Sequence, residues 1–157
     1  EITSLRKDII TDGRHAKVEF TKDWLIDSKR RDFTINAISC NFDGDLYDYH
    51  GGLQDLKEGK IKFIGDPSKR IKEDFLRMLR YFRFYGYYGK KKITKLEIKV
   101  FQQFASNLKK LSSERIYLEF KKIILCENFY KILKFMEEAK ILKYIILGKN
   151  NFCRKKV

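Results

Sequence analysis

The sequence G-D-P-S-K-R-I-K-E-D-F-L-R-M-L-R-Y-F-R-F, residues Gly65 to Phe84, has the start signal and the apolar spacing of a helix. Asp66 is a typical residue for the N-cap of a helix, and Pro67 suits the first helical position because its missing N–H is not needed there. The following residues carry an apolar stripe at helical spacing: Ile71, Phe75, Leu79 and Phe82. The pattern therefore predicts one long helix that packs this stripe against a core.

The opposite face of this predicted helix is polar. Asp74 and Arg77 lie three residues apart, a spacing that makes two side chains neighbours on one helical face. A surface ion pair is the common meaning of such a spacing, and surface ion pairs contribute little to stability. A binding function for the two residues therefore needs support from elsewhere in the chain.

The composition bounds the possible classes of protein. The chain has 157 residues, enough for one ordinary domain or for the end of one domain and the start of another. Hydrophobic residues make up 43% and aromatic residues 15%, which supplies a core and excludes a disordered chain. The formal net charge of +14 favours an acidic polymer or a polyphosphate as partner, although such a composition can also reflect genome base composition.

The cysteines and the apolar runs indicate the compartment. Cys40, Cys126 and Cys153 are far apart and form no C-x-x-C motif, so neither a zinc site nor a disulfide framework is indicated. Thiols of this kind fit a reducing cytoplasm. We expect no membrane span and no signal peptide, and therefore no membrane partner. Because the chain begins at Glu1 within a strand-like stretch, we also expect it to be part of a longer protein.

The elements indicated along the chain change from mixed to helical. Before residue 65, β-prone segments flank Asp12-Gly13, Asp43-Gly44 predicts a hairpin with a two-residue turn, and Gly51-Gly52 frees the backbone. The later residues follow helical periods, and Thr94 with Glu97 forms a capping box at the start of one helix. The sequence therefore predicts an α+β fold with an all-α second half.

Four strings occur in a fixed order: R-R-D-F-T-I-N-A-I at 30–38, G-G-L-Q-D-L at 51–56, I-G-D-P-S-K-R-I-K-E-D-F-L-R-M-L-R-Y-F-R-F at 64–84, and S-S-E-R-I-Y-L-E-F at 112–120. They resemble, in that order, the bacterial tRNA nucleotidyltransferase and poly(A) polymerase family over nearly the whole chain. The resemblance implies a nucleotidyltransferase palm of the DNA polymerase β superfamily, followed by an all-helical neck and body. It places the C-terminal part of the palm at 1–65, the neck and start of the body at 66–148, and a tail at 149–157.

The resemblance also implies roles for individual residues. The family's E-D-x-x-R string reads the incoming base, which assigns Asp74 and Arg77 to the Watson–Crick edge of cytosine or adenine. The chemistry agrees, because a carboxylate accepts from an exocyclic amine and a guanidinium donates in a plane. The R-R-D-x-x-x-N motif is associated with the sugar and the phosphates of the nucleotide, and Arg80 adds a triphosphate contact. The residues that match this motif are Arg30, Arg31, Asp32 and Asn36.

The family performs two-metal phosphoryl transfer, so the resemblance implies Mg²⁺ as cofactor. Its main ligands form a D-x-D pair that lies upstream of everything in this sequence. Asp43 and Asp45 have the spacing, but they follow the R-R-D motif on a predicted hairpin turn, and we reject them as the metal site. Glu1 matches a third carboxylate of the family and is the remaining candidate ligand. The chain alone is therefore expected to be an inactive fragment.

The implied function is the template-independent addition of C and A to tRNA 3′ ends from CTP and ATP. One alternative is a poly(A) polymerase that acts on other RNA 3′ ends, although S-S-E-R-I at 112–116 resembles the tRNA branch more closely. The second alternative is a non-catalytic module that uses the +14 charge to bind RNA. Such a module would bind with a steep salt dependence and no nucleotide preference.

Overall fold

The computed structural model describes residues 4–11 and 16–146, which fold as two compact units that divide between Asp74 and Phe75. The first unit combines short strands with short helices, and the second unit is helical. This arrangement confirms the predicted α+β fold and its all-α second half. Within the described residues, no helix has both the length and the apolar character needed to cross a membrane.

The first unit begins with an antiparallel strand pair, β1 (Arg6–Thr11) and β2 (Ala16–Phe20). The pair confirms that the β-prone pattern of this region forms strands. Asp12-Gly13, which these β-prone segments flank, lies outside the described residues, and so does Glu1.

Three short helices follow in the first unit. α1 (Trp24–Lys29) begins at Asp23, whose carboxylate accepts hydrogen bonds from two backbone N–H groups of the first turn. α2 is Gly52–Glu58, and α3 is Pro67–Glu73. The cap predicted at Asp66 is confirmed, because its Oδ1 accepts from the N–H of the third residue of α3 at 2.7 Å.

A small hairpin, β3 (Ser39–Cys40) and β4 (Leu46–Tyr47), precedes α2. The hairpin is present as predicted, but Cys40 pairs with Leu46, so the loop has five residues instead of two. The Asn41 side chain accounts for the longer loop. Its Oδ1 accepts hydrogen bonds from the backbone N–H groups of Asp43 at 3.0 Å and of Asp45 at 2.8 Å. A loop bridged by an asparagine side chain replaces the tight turn.

The segment between α1 and β3 pairs with the residues that precede α3. Phe33 forms an isolated antiparallel bridge with Phe63, and a 3-10 turn follows at Thr34–Asn36. The two phenylalanine rings are buried, and their centroids lie 4.8 Å apart. This segment therefore combines one strand-like bridge with one helical turn.

The second unit contains, within the described residues, α4 (Arg77–Tyr88), α5 (Lys95–Phe104), a 3-10 helix (Ala105–Lys110), α6 (Ser113–Ile124), α7 (Phe129–Glu138) and α8 (Ile141–Ile145). α4 packs against α6 and α7. The capping box predicted for Thr94 and Glu97 is confirmed at the start of α5. The Tyr81 hydroxyl donates to Glu97 Oε1 at 3.0 Å, so the same carboxylate also ties α5 to α4.

The long helix predicted after Asp66 is wrong in one respect, because the structure divides it into two helices. α3 ends before Asp74, which is extended with φ −152° and ψ 110°, and α4 begins at Arg77. Asp74 and Arg77 therefore do not occupy one continuous helical face. The apolar stripe is divided as well, since buried Ile71 belongs to α3 and buried Leu79 belongs to α4.

Candidate functional site

Asp32 and Asn36, two of the predicted site residues, are in direct contact. Asn36 Nδ2 donates to Asp32 Oδ1 at 3.0 Å, and the same oxygen accepts from the backbone N–H of Phe33 at 3.1 Å. Asp32 is buried, and its carbonyl oxygen accepts from the N–H of Ile64 at 3.0 Å. The structure thus brings the aspartate and the asparagine of the R-R-D-x-x-x-N motif together at one turn, which the bridge to residues 62–64 holds in place.

Arg30 and Arg31 share a carboxylate that the motifs did not indicate. Asp27 Oδ1 accepts from Arg30 Nε at 2.9 Å and Nη2 at 2.6 Å, and Oδ2 accepts from Arg31 Nε at 3.1 Å and Nη2 at 3.0 Å. Oδ1 also accepts from the backbone N–H of Arg6 at 3.1 Å. Asp27 is only 2% exposed, whereas the side chains of Arg30 and Arg31 are 18% and 34% exposed. Arg31 is therefore the more accessible of the two cations.

The Asp27 carboxylate is ionised at neutral pH. Burial on its own would raise the pKa of Asp27, but hydrogen bonds from Arg30, Arg6 and Arg31 outweigh burial and hold the pKa below its ordinary value. One negative charge thus stands between two positive charges. The sequence carries a weak signal for this contact, since an acidic residue precedes two arginines by three and four positions. Because that spacing is common in helices, it does not mark Asp27 as functional by itself.

Arg70, which lies on α3, fixes the backbone of the same segment. Its Nη2 group donates to the carbonyl oxygen of Arg30 at 2.8 Å and also to that of Arg31. Its Nη1 group donates to Glu73 at 2.7 Å. The two carbonyl contacts join residues 40 and 39 positions apart in the chain, so no local pattern could have indicated them. Asp27 holds the side chains of the two arginines, and Arg70 holds their backbone.

The 3-10 turn that carries Asn36 rests against the start of α2. Thr34 Oγ1 donates to Asp55 Oδ2 at 2.7 Å, and both residues are buried. A Cβ atom placed on Gly52 would lie 2.2 Å from the carbonyl oxygen of Thr34, so the backbone approach leaves room only for glycine. The G-G-x-x-D string at 51–55 therefore positions the turn through close packing and one buried hydrogen bond.

Asp48 stabilises the loop before α2. Its carboxylate accepts from the backbone N–H groups of His50 at 3.3 Å, Gly52 at 2.8 Å and Leu53 at 2.9 Å. Burial on its own would raise the pKa of Asp48, but these hydrogen bonds outweigh burial and hold the pKa below its ordinary value. Asp48 is therefore an anion at the start of α2, where the helix dipole favours negative charge.

We expect Asp48→Asn to lower the free energy of unfolding by about 1–2 kcal/mol at neutral pH, because one amide oxygen replaces two charged acceptors. Since the pKa of Asp48 is lower in the folded than in the unfolded protein, its stabilisation is complete above the ordinary aspartate pKa. That stabilisation is lost as the pH falls through the folded value. Urea unfolding followed by circular dichroism at several pH values should show a shallower acid dependence for the variant. The same acid dependence in both proteins would contradict this prediction.

The other predicted site residues lie near the division between the units. Asp74 ends the first unit, whereas Arg77 and Arg80 belong to α4 in the second unit. All three residues are half-buried. The Arg80 guanidinium lies 5.8 Å from the ring centroid of Phe84, within range of a cation–π contact. A half-buried carboxylate and guanidinium retain the acceptor and donor chemistry that a base edge requires.

The described residues do not supply a metal site. Residues 4–11 and 16–146 contain no group of three or more His, Cys, Asp or Glu side chains that could hold a metal ion. Glu1, the candidate ligand, lies outside these ranges. Asp43 and Asp45 are exposed on the hairpin loop, where Asp45 Oδ2 accepts from Asn41 Nδ2 at 2.9 Å. The Mg²⁺ that the resemblance implies therefore does not fit the residues that the structure describes.

Two family models match the chain. One is described as "Poly A polymerase head domain" and covers residues 1–62, and the other is described as "Probable RNA and SrmB- binding site of polymerase A" and covers residues 92–151. The CCA tRNA nucleotidyltransferase 1, mitochondrial, of Homo sapiens is 44% identical over 96% of this chain and 35% of its own length. The CCA-adding enzyme of Leuconostoc mesenteroides subsp. mesenteroides is 37% identical over 92% of this chain and 36% of its own length.

A solved structure is similar in fold as well as in sequence. The crystal structure of Bacillus stearothermophilus CCA-adding enzyme in complex with CTP matches with a TM-score of 0.75 and 30% identity, over 88% of this chain and 33% of that protein. The chain spans about a third of the length of the curated relatives it matches. The family models fall on both units, in agreement with the order of the four strings.

Proposed function

Because the chain belongs to the tRNA nucleotidyltransferase and poly(A) polymerase family, we propose that it supplies the nucleotide-selecting part of an enzyme that adds C and A to tRNA 3′ ends. The substrates are CTP, ATP and tRNA, and the reaction is template-independent phosphoryl transfer. Two kinds of finding support this choice: relatives that are CCA-adding enzymes, and a solved relative that holds CTP. The net charge of +14 also suits a nucleic-acid partner.

The proposal divides the chain by role. Residues 1–65 form the C-terminal part of a nucleotidyltransferase palm, and residues 66–148 form the helical neck and the start of the body. Residues 149–157 form a tail. The match of a head-domain model to residues 1–62 and of an RNA-binding model to residues 92–151 supports this division.

The segment at residues 30–36 supports the proposal most directly. Asp27 fixes the side chains of its two arginines, and Arg70 fixes their backbone. A part-exposed guanidinium, that of Arg31, directly precedes buried Asp32 in the chain, and the Asp32 carboxylate accepts a hydrogen bond from half-buried Asn36. Guanidinium groups bind phosphates with a planar fork, and carboxylate and amide groups bind sugar hydroxyls. We therefore assign Arg30 and Arg31 to the triphosphate, and the family resemblance adds Arg80. Asp32 and Asn36 are assigned to the sugar and to the geometry of the pocket.

Asp74 and Arg77 are assigned to the base. We expect Asp74→Ala and Arg77→Ala each to reduce the preference for CTP and ATP over UTP and GTP about tenfold or more, because each removes hydrogen bonds to the base edge. Isothermal titration of the 157-residue chain with the four nucleotides measures this preference. Glu127→Ala and Lys99→Ala remove exposed charges of the same signs and should leave all four affinities unchanged. If both site variants keep the preference, the assignment to the base is wrong.

The reaction itself is tested with the full-length gene product. On a tRNA that lacks its terminal C-C-A, we expect incorporation from both CTP and ATP, whereas incorporation from ATP alone would favour a poly(A) polymerase. The family implies Mg²⁺, for which the described residues supply no site, so the roles assigned to this chain are confined to nucleotide and RNA binding. We place the enzyme in the cytoplasm, a reducing compartment that suits the free thiols of Cys40 and Cys126.

A further inference from the structure

The Asp27 carboxylate makes more contacts than its short helix requires. Four of its hydrogen bonds come from the guanidinium groups of Arg30 and Arg31, and a fifth comes from the backbone N–H of Arg6. Each carboxylate oxygen meets the Nε and Nη2 atoms of one guanidinium. A single buried anion thereby fixes two arginines in a side-on geometry.

This geometry determines what Arg31 can still offer to another anion. A guanidinium has five N–H donors, and Asp27 engages the edge formed by Nε and Nη2, so the Nη1 edge lies outside this contact. The side chain of Arg31 is 34% exposed, about twice the exposure of Arg30. Arg31 therefore combines a fixed orientation with a part-exposed side chain and a donor edge that Asp27 does not engage.

The backbone below Arg31 is held as firmly as its side chain. Arg70 donates from Nη2 to the carbonyl oxygens of Arg30 and Arg31. Arg70 is itself paired with Glu73, at 2.7 Å between Nη1 and Oε2. The position of the Arg31 guanidinium is thus determined at both ends, by Arg70 at the main chain and by Asp27 at the charged group.

We propose that Asp27 is a positioning residue, which holds Arg31 in the orientation that binds the phosphates of a nucleoside triphosphate and does not itself touch the nucleotide. The inference rests on the proposed function, because it requires that Arg31 meets phosphate. A long side chain that is already held loses little rotamer freedom when the ligand binds, so the held state binds more tightly. In metal sites, replacing the neighbour that orients a ligand typically lowers affinity about 10- to 100-fold, and we expect a loss at the lower end of that range for phosphate.

The sign of the effect separates positioning from two other roles. Asp27 is a negative charge beside the expected phosphate position, so Coulomb's law alone predicts tighter phosphate binding when that charge is removed. A purely structural role, in which Asp27 fastens α1 to the backbone of Arg6, predicts a lower Tm and an unchanged affinity in the folded protein. Positioning predicts weaker binding in a protein that is still folded.

The test compares wild type with Asp27→Asn in the 157-residue chain. Isothermal titration with CTP, ATP and inorganic tripolyphosphate is carried out below the Tm of both proteins, as measured by circular dichroism. We expect all three affinities to fall by the same factor, about tenfold, because the effect acts on phosphate and not on the base. Asp23→Asn is the matched control: it removes an exposed charge from the same helix but keeps an oxygen that can cap it, so the Tm and the tripolyphosphate affinity should both stay close to those of wild type.

The outcomes separate this inference from the proposed function. Unchanged or tighter tripolyphosphate binding by Asp27→Asn overturns the positioning role while the proposed function stands. Absence of CTP, ATP and tripolyphosphate binding in wild type overturns the proposed function and, with it, this inference. If Asp27→Asn does not fold, Arg31→Lys decides, because lysine keeps the charge but cannot form the side-on fork. We then expect at least a tenfold loss of tripolyphosphate affinity, and wild-type affinity in Arg31→Lys would overturn the inference.

Discussion

Gly52→Ala should lower the free energy of unfolding of the first unit by about 3 kcal/mol or more, because the new methyl group would overlap the carbonyl oxygen of Thr34, whose position is fixed by hydrogen bonds. The added Cβ would lie 2.2 Å from the carbonyl oxygen of Thr34 and 2.7 Å from its carbonyl carbon. Thr34 is held on three sides: its N–H donates to Lys62, its carbonyl oxygen accepts from Ala37, and its hydroxyl donates to Asp55. Relief of the clash therefore requires movement of the turn that carries Asn36.

Chemical denaturation followed by circular dichroism measures this loss. Gly51→Ala is the matched control, since the neighbouring glycine has a positive φ of 72° but open space around its Cβ position. A left-handed alanine costs about 1–2 kcal/mol, so Gly51→Ala should be clearly milder than Gly52→Ala. Gly52→Ala should also weaken nucleotide binding, because the same turn positions Asp32 and Asn36. If the two alanine variants are equally stable, the close approach to Thr34 does not control the fold of this unit.

Glu119→Leu should cost the second unit about 3 kcal/mol, because it leaves a largely buried guanidinium without its counterion. Arg83 Nε lies 3.1 Å from Glu119 Oε2, and the two side chains are 16% and 8% exposed. The Arg83 guanidinium also lies 4.7 Å from the ring centroid of Phe84. Since α4 carries Arg83 and α6 carries Glu119, the pair joins two helices of the core.

A double variant identifies the cause of this loss. Arg83→Leu combined with Glu119→Leu removes both charges and should recover most of the stability, because apolar residues of similar size often replace a buried ion pair without loss. Lys122→Ala is the control for the third member of the cluster. Lys122 Nζ lies 3.5 Å from Glu119 Oε1, but its side chain is 48% exposed, so its removal should cost less than about 1 kcal/mol. If thermal unfolding shows the same loss of stability for Glu119→Leu as for Lys122→Ala, the prediction is wrong.

Much of the second half of the fold could be predicted from the sequence because its information is local. The capping box of Thr94 and Glu97 involves residues three positions apart, and each helical period involves residues three or four positions apart. The structure contains both the box and the helices. The hairpin was indicated for the same reason. Its loop length was not, because Asn41 bridges the loop through a side chain, and a Gly-containing dipeptide carries no information about that bridge.

The break at Asp74 was missed because apolar spacing continues through it. Ile71, Phe75 and Leu79 keep a helical period, and a period records which residues are buried but not whether the backbone between them is continuous. Asp27 was missed because the sequence does not show that it is buried. Its spacing from the two arginines is common, and only burial distinguishes this contact from an ordinary surface ion pair. The motif strings identified the residues proposed to meet the nucleotide, but not the residues that hold them.

The contact of Arg70 with the carbonyl oxygens of Arg30 and Arg31 has a consequence for the order of events during synthesis. Contacts that join residues 40 and 39 positions apart close a long loop, so they form only after the intervening chain has been made. A nascent chain that has exposed the whole R-R-D motif still lacks the group that fixes its backbone. The proposed phosphate site is therefore complete only when α3 has left the ribosome. A nascent chain that ends before α3 should not bind nucleotide.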